Sequence, residues 1–342
     1  MKQAADLGVH RWSRLSAVFT SGFGGLVVAM VFVPVLLSSN ATQKMTTLLI
    51  LVLLAVMWNA LAGYGGLVSV GQQAFIGLGA YGTVWLVNHN MNPYRAMIVA
   101  ALFCGAIAVP LSFVVLRFRG AQFAIGMWVV AEVAAIFISF DQSLGAGTGT
   151  SLIELNYYTP NQRQEYTYWL TLGMTAFFIG LLFVLLRTRL GASLQAIRDD
   201  EDAAASLGVR VVAGKRILFV LAAAGCGAAG SMTLANTLFI EPTSIFGVQW
   251  TAYMIFMVLV GGLGTFEGPI IGAIVLFVIQ NHYGNSGVWY LVGLGAAAIL
   301  FALLLPRGIW GTVLDRFGLR LLPVGYRLQQ VNPPAATTTE PA

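Results

Sequence analysis

The chain has 342 residues, 58% of them hydrophobic and only 9% charged, against about 25% charged in a soluble domain. That composition excludes an ordinary soluble enzyme and predicts an all-α integral membrane protein, with room for about ten spans of roughly 20 residues each. The formal charge of +5 is no sign of nucleic-acid binding, because the basic residues sit at the ends of apolar runs, as topology determinants do.

In chain order, residues 1–21 carry Lys2, Arg11 and Arg14 and lead into an apolar run to Leu37. This resembles a signal peptide, but a small-residue cleavage site is lacking and a second apolar run starts near Thr46, so it reads as a retained first span. Hydropathy predicts ten spans, near 22–38, 45–62, 67–87, 95–116, 121–140, 168–187, 216–238, 249–263, 268–284 and 287–305. The layout expected is a cytoplasmic N-terminus (1–21), a transmembrane domain (22–310) and a cytoplasmic, partly disordered tail (311–342). The tail after Pro323 has no apolar period. With the N-terminus inside and the spans alternating, all 18 Lys and Arg residues except Lys44, Arg95 and Arg163 fall on the inner side. This bias puts both termini and the 188–215 loop in the cytoplasm and the 141–167 loop outside. Cys104 and Cys226 lie in apolar runs and read as packing residues.

Residues 63–82, GYGGLVSVGQQAFIGLGAYG, place Gly65, Gly66 and Gly71 beside Ser69, Gln72 and Gln73 at membrane depth. Gly77, Gly79 and Gly82 fit a dinucleotide fingerprint letter by letter, but no βαβ context surrounds them. Two readings stand. One is close helix packing through small residues; the other is a broken or re-entrant helix that lines a polar pathway. The paired amides favour the second, since an amide in lipid is costly without a partner. Residues 261–272, GGLGTFEGPIIG, contain Gly261, Gly262 and Gly268 and echo the first stretch: Gly65-Gly66-Leu67-x-Ser69 against Gly261-Gly262-Leu263-x-Thr265. The match is short and leaves the internal symmetry open. Glu132 falls in mid-span, where a carboxylate is either a pathway residue or a hydrogen-bonded structural acid. Glu267 reads as a helix-start acid.

The most polar stretch is 191–212, GASLQAIRDDEDAAASLGVRVV. Its charges cannot sit in hydrocarbon, where each costs about 2.5–3.5 kcal/mol. On a helical wheel Leu194, Ile197, Ala204 and Leu207 share one face, and Arg198, Asp199, Glu201 and Asp202 mostly point away. A solvated loop helix with no partner has this pattern, and so does a docking helix with an apolar ridge and a charged rim.

Four blocks together resemble the permease subunits of the branched-chain amino-acid importers of the ATP-binding cassette class, in their LivM-type half. They are residues 63–81, residues 116–132 (LRFRGAQFAIGMWVVAE), residues 190–209 and residues 239–272. Members of that family usually carry His where Gln72 stands and a small residue where Gln73 stands. The resemblance implies a second homologous permease subunit, two cytoplasmic ATP-binding subunits and a periplasmic or extracellular substrate-binding protein, in the bacterial inner membrane. It also implies a cytoplasmic coupling helix. Asp202-Ala203-Ala204-x-x-x-Gly208 is similar to the family's Glu-Ala-Ala-x-x-x-Gly motif, with Leu207 just before the glycine that ends the helix. No GxxxxGK[ST] phosphate loop occurs, so ATP and magnesium are expected on the partners and no cofactor on this chain. Branched-chain amino acids are the family's usual cargo; urea, short amides and other small polar solutes are alternatives. An ion-gradient transporter would have to use Glu132 as its relay. An intramembrane enzyme finds no support in His10, His89 and His282, which show no ligand spacing.

Overall fold

The computed structural model describes residues 7–10, 14–284, 287–317 and 327–330. Among the described residues, seven helical segments are long and apolar enough to cross a membrane: Ser39–Tyr64, Pro93–Val115, Ala121–Phe140, Pro160–Arg187, Val211–Thr237, Pro242–Gly261 and Trp289–Arg316. Each lies on an expected span. The remaining three expected spans are shorter or interrupted. Helix α1 (Arg14–Val31) gives way at Pro34 to the single turn α2 (Val33–Leu36), because proline clashes with the preceding turn.

Helix α3 (Ser39–Asn59) ends in a π-helical turn, Ala60–Tyr64. Residues 65–72 then run without regular structure into the bundle, where α4 (Gln73–Asn88) begins. Asn92 caps α5 (Pro93–Val115) by accepting from the Tyr94 N–H, and Pro93 takes the first turn, where its missing N–H costs nothing. After α6 (Ala121–Phe140) comes α7 (Pro160–Arg187), opened by a capping box between Thr159 and Gln162. Two short helices, α8 (Arg189–Asp199) and α9 (Glu201–Ser206), lead to α10 (Val211–Thr237). The chain then makes one turn, α11 (Pro242–Ile245), before α12 (Gln249–Gly261), α13 (Gly268–Tyr283), α14 (Val288–Leu304) and α15 (Gly308–Phe317).

Side-chain contacts sort these elements into two ends. At one end Arg198 meets Gly63, Arg119 meets Asp202, and Trp310 meets Glu267. At the other, Ser39 meets Asn161, Gln43 meets Asn236, Asn88 meets Ser143, and Thr150 pairs with Ile240 in a two-residue ladder. Helices α3, α4, α5 and α6 therefore alternate in direction between the ends. Helices α10, α12, α13 and α14 repeat that order with every direction reversed. The packing repeats as well. Helix α3 lies on α10 at the centre. Helix α4 packs on α5, α6 and α10, as α12 packs on α13, α14 and α3. Inverted repeats with one discontinuous helix in each half are a recurring transporter architecture. The Gly65 and Gly261 stretches are not the repeated pair. Both lie at the Arg198 end and pack together, with Asn59 donating to Thr265 O and accepting from the Gly264 N–H.

Glycine makes the close approaches possible. A Cβ on Gly79 would lie 2.0 Å from Gly227 O, and one on Gly230 would lie 1.9 Å from Ile76 O, so α4 and α10 touch backbone to backbone. Residues 327–330, in the tail expected to lack order, pair antiparallel with Leu7–His10. Residues 318–326 and 331–342 of the tail, and Lys2 and Arg11, lie outside the described residues.

Candidate functional site

Two sites stand out, one at each level of the bundle. The first is the polar segment at the Arg198 end. It is not one helix: Asp200 adopts an extended conformation, ends α8 and caps α9 by accepting from the Ala203 N–H at 2.9 Å. The break changes which residues face out. Leu194, Ile197 and Ala204 are buried, as the helical wheel predicts, and Leu194 and Ile197 pack against Gly214 of α10. Leu207 is not: its side chain is 84% exposed. Arg198 is exposed as expected but also reaches back into the fold. Its guanidinium donates to Gly63 O at 2.9 Å and pairs with Asp199 at 3.3 Å. Glu201 pairs with Lys215 at 2.5 Å, and Asp202 sits 3.5 Å from Arg119. Glu201 thus ties α9 to α10, while Asp202, Ala203, Ala205, Ser206, Leu207 and Gly208 are exposed. Gly208 has φ +82° with open space where a Cβ would go. It ends the helix in the left-handed region that glycine enters without cost.

The second site is a buried polar junction where the two discontinuous helices meet. Ser69, Gln72 and Gln73 are fully buried. The Trp58 indole donates to Ser69 O at 2.9 Å, and Gln72 Nε2 donates to Ser69 Oγ at 3.3 Å. Gln73 Nε2 donates to Val70 O, while Thr251 of α12 donates its hydroxyl to Gln73 Oε1. Gln72 Oε1 is buried with no hydrogen-bond partner among the described residues. Gly71 seats this junction on α6, since a Cβ there would lie 1.9 Å from Met127 O. Gly66, at φ +66°, turns the chain inward beside Arg198, and Gly65 lies against Leu218. Gly261 packs on Gly268 O, and Gly262 takes φ +132° beside Arg307 O. Glu132 is not in the junction. It is exposed on α6 and accepts from the Trp128 indole at 3.0 Å.

Sequence reasoning missed Thr251, Trp58 and Asn59. Asn59 had a usable signal, a lone amide closing the run LLILVLLAVMWN; Thr251 had none. The Gln73–Thr251 pair makes a quantitative test. Thr251→Val strands a buried acceptor and Gln73→Leu strands a buried hydroxyl, so each single variant is expected to lose about 1–3 kcal/mol. The double variant is expected to recover most of that loss in a thermal-unfolding cycle. Additive losses would mean the pair does not interact.

Residues 40–306 match the family described as branched-chain amino acid transport system, permease component. The chain belongs to this family. The branched-chain amino acid permease LivM of Escherichia coli (strain K12) is 27% identical over 312 residues, covering 83% of this chain and 73% of the relative. The LivM of Salmonella typhimurium (strain LT2) is 26% identical over the same shares. The ribose import permease RbsC of Escherichia coli (strain K12) is 29% identical over 136 residues, 38% of this chain and 42% of that protein. Among solved structures, PsaBC from Streptococcus pneumoniae in complex with Fab aligns over 88% of this chain and 99% of that one, with TM-score 0.49 and 14% identity. As a LivM-type permease of the branched-chain family, the chain is a multi-pass membrane subunit of an ATP-binding cassette importer, in keeping with its long apolar helices.

Proposed function

We propose that this permease crosses the inner membrane ten times, with both termini in the cytoplasm, and carries branched-chain or related small amino acids inward. The observation that carries the orientation is the sorting of charge between the two ends. Among the described residues of the helical bundle from α3 to α15, the Arg198 end gathers Arg117, Arg119, Arg187, Arg189, Arg198, Arg210, Lys215, Arg216, Arg307 and Arg316, and the opposite end Lys44, Arg95 and Arg163. Such a bias marks the cytoplasmic side.

Residues 188–215 then form the coupling segment. Ala203, Leu207 and Gly208 project toward a cytoplasmic ATP-binding subunit, and the buried ridge of Leu194, Ile197 and Ala204 ties them to α10. Small residues permit close approach, and an exposed leucine offers an apolar anchor for a partner's groove. Two ATP-binding subunits hold ATP and magnesium and do the hydrolysis. A substrate-binding protein delivers the amino acid to the opposite end, where residues 141–167 lie.

Glu132 supports a second permease subunit. Its carboxylate stands in mid-span on an exposed face with Ile125, Val129 and Ile136. A carboxylate at that depth is costly against hydrocarbon even with the Trp128 indole as its partner, which favours contact of this face of α6 with a partner chain or the water-filled path between the two. Ser69, Gln72 and Gln73 lie behind it at the junction of the broken helices, where motion of α4 against α12 opens and closes the route.

Cysteine labelling tests the orientation. A cysteine at Ala203 is expected to resist a membrane-impermeant thiol reagent in intact cells and to react once the cells are opened. Labelling from outside intact cells would reverse the topology.

A further inference from the structure

Arg198 does more than line the docking rim, although its side chain is 41% exposed. It crosses from the C-terminal turn of α8 to the point where both glycine turns meet. Its Nη1 donates to Gly63 O at 2.9 Å, in the π-helical turn that ends α3. A Cβ on Gly264 would lie 2.5 Å from that same nitrogen, and one on Gly66 would lie 3.7 Å from Arg198 Cα. The guanidinium thus lies against turns 63–66 and 262–265 together. Asn59, fully buried, fastens those turns to each other through the Gly264 N–H and Thr265 O. From here the path inward is continuous. Trp58, one residue before Asn59, holds Ser69 O, and Ser69 holds Gln72.

We propose that Arg198 is the strut that carries movement of the docking segment to the glycine turns, and through them to the junction of the two broken helices. Three features argue for this over a packing role. A π-helical turn is a weak point in a helix and clusters at functional sites, and Arg198 grips its carbonyl. The planar guanidinium holds Gly63 O through Nη1 and Asp199 through Nε and Nη2, a fixed spread of donors that the compact ammonium of a lysine does not reproduce. The inner half of the route, Trp58, Ser69 and Gln72, is buried, so displacement of the strut is not absorbed by loose side chains.

This inference rests on the reading of 188–215 as the coupling segment, and the experiment separates the two. The permease, wild type or with Arg198→Met or Arg198→Lys, is co-expressed with the ATP-binding and substrate-binding subunits of its importer and reconstituted in proteoliposomes. Three quantities are read: recovery of the ATP-binding subunits on the tagged permease, ATP hydrolysis, and leucine uptake per ATP hydrolysed. Arg198→Met is expected to recover the ATP-binding subunits as the wild type does while uptake per ATP falls about tenfold or more; Arg198→Lys is expected to fall between. A wild-type ratio in Arg198→Met would overturn the strut, and so would loss of subunit recovery in step with uptake, which would make Arg198 a docking contact. If no ATP-binding subunit is recovered even on the wild-type chain, the coupling reading fails instead.

Discussion

Leu207→Asp is expected to remove most of the permease's affinity for its ATP-binding subunit. Leu207 is 84% exposed, more than Leu190 at 38% or Val212 at 52% in the same segment, and among the described residues nothing covers it. Its loss therefore costs the isolated chain little, within about 0.5 kcal/mol for a surface change. At a docking groove, losing a buried leucine and inserting a carboxylate costs about 2 kcal/mol or more, about 30-fold in affinity. Gly208→Leu is expected to act in the same direction for a different reason. Open space surrounds it, so no clash arises within the chain. The strain of a β-carbon at φ +82° is about 1–2 kcal/mol, and the added bulk meets the partner. Both variants should insert normally and lose substrate-stimulated ATP hydrolysis, measured by pull-down and phosphate release. Wild-type affinity in both would place docking elsewhere.

The second large effect is expected at Gly71. A Cβ there would lie 1.9 Å from the Met127 carbonyl oxygen and 2.9 Å from Met127 Cβ. A helix carbonyl cannot turn aside as a side chain can, so Gly71→Leu must push residues 65–72 off α6. Overpacking of a tight contact costs about 1–3 kcal/mol and displaces backbone. Here it also disturbs Gln72 and Gln73, the neighbours that make the junction. The variant is expected to give low yield, a lowered melting temperature in detergent and little uptake. Gly173→Leu is the control: it sits on α7 with nothing within 4 Å and should behave as the wild type. Equal stability of the two variants would show that α6 does not bear on the 65–72 segment.

Seven of the spans were legible because long apolar runs report membrane depth directly. The broken helix at 63–82 was legible too, since paired amides and glycines at membrane depth have few other uses. The faces of residues 191–212 were legible only in part. One helical wheel fails across Asp200, where two short helices meet; it therefore turned Leu207 inward. The depth of Glu132 could be read but not its face, because apolar residues surround α6 whether they meet lipid or protein. The inverted repeat left no trace in sequence, and the glycine-rich match that suggested one joins two turns at the same end. Thr251 is a single hydroxyl in an apolar run, and only the fold brings it to Gln73.

The most direct test is uptake of leucine into proteoliposomes holding the complete importer with its substrate-binding protein. Uptake is expected to require Mg-ATP on the side of the coupling segment, to be indifferent to imposed proton or sodium gradients, and to fail with Leu207→Asp. Uptake that persists without ATP while an ion gradient is maintained, and that survives Leu207→Asp, would contradict it.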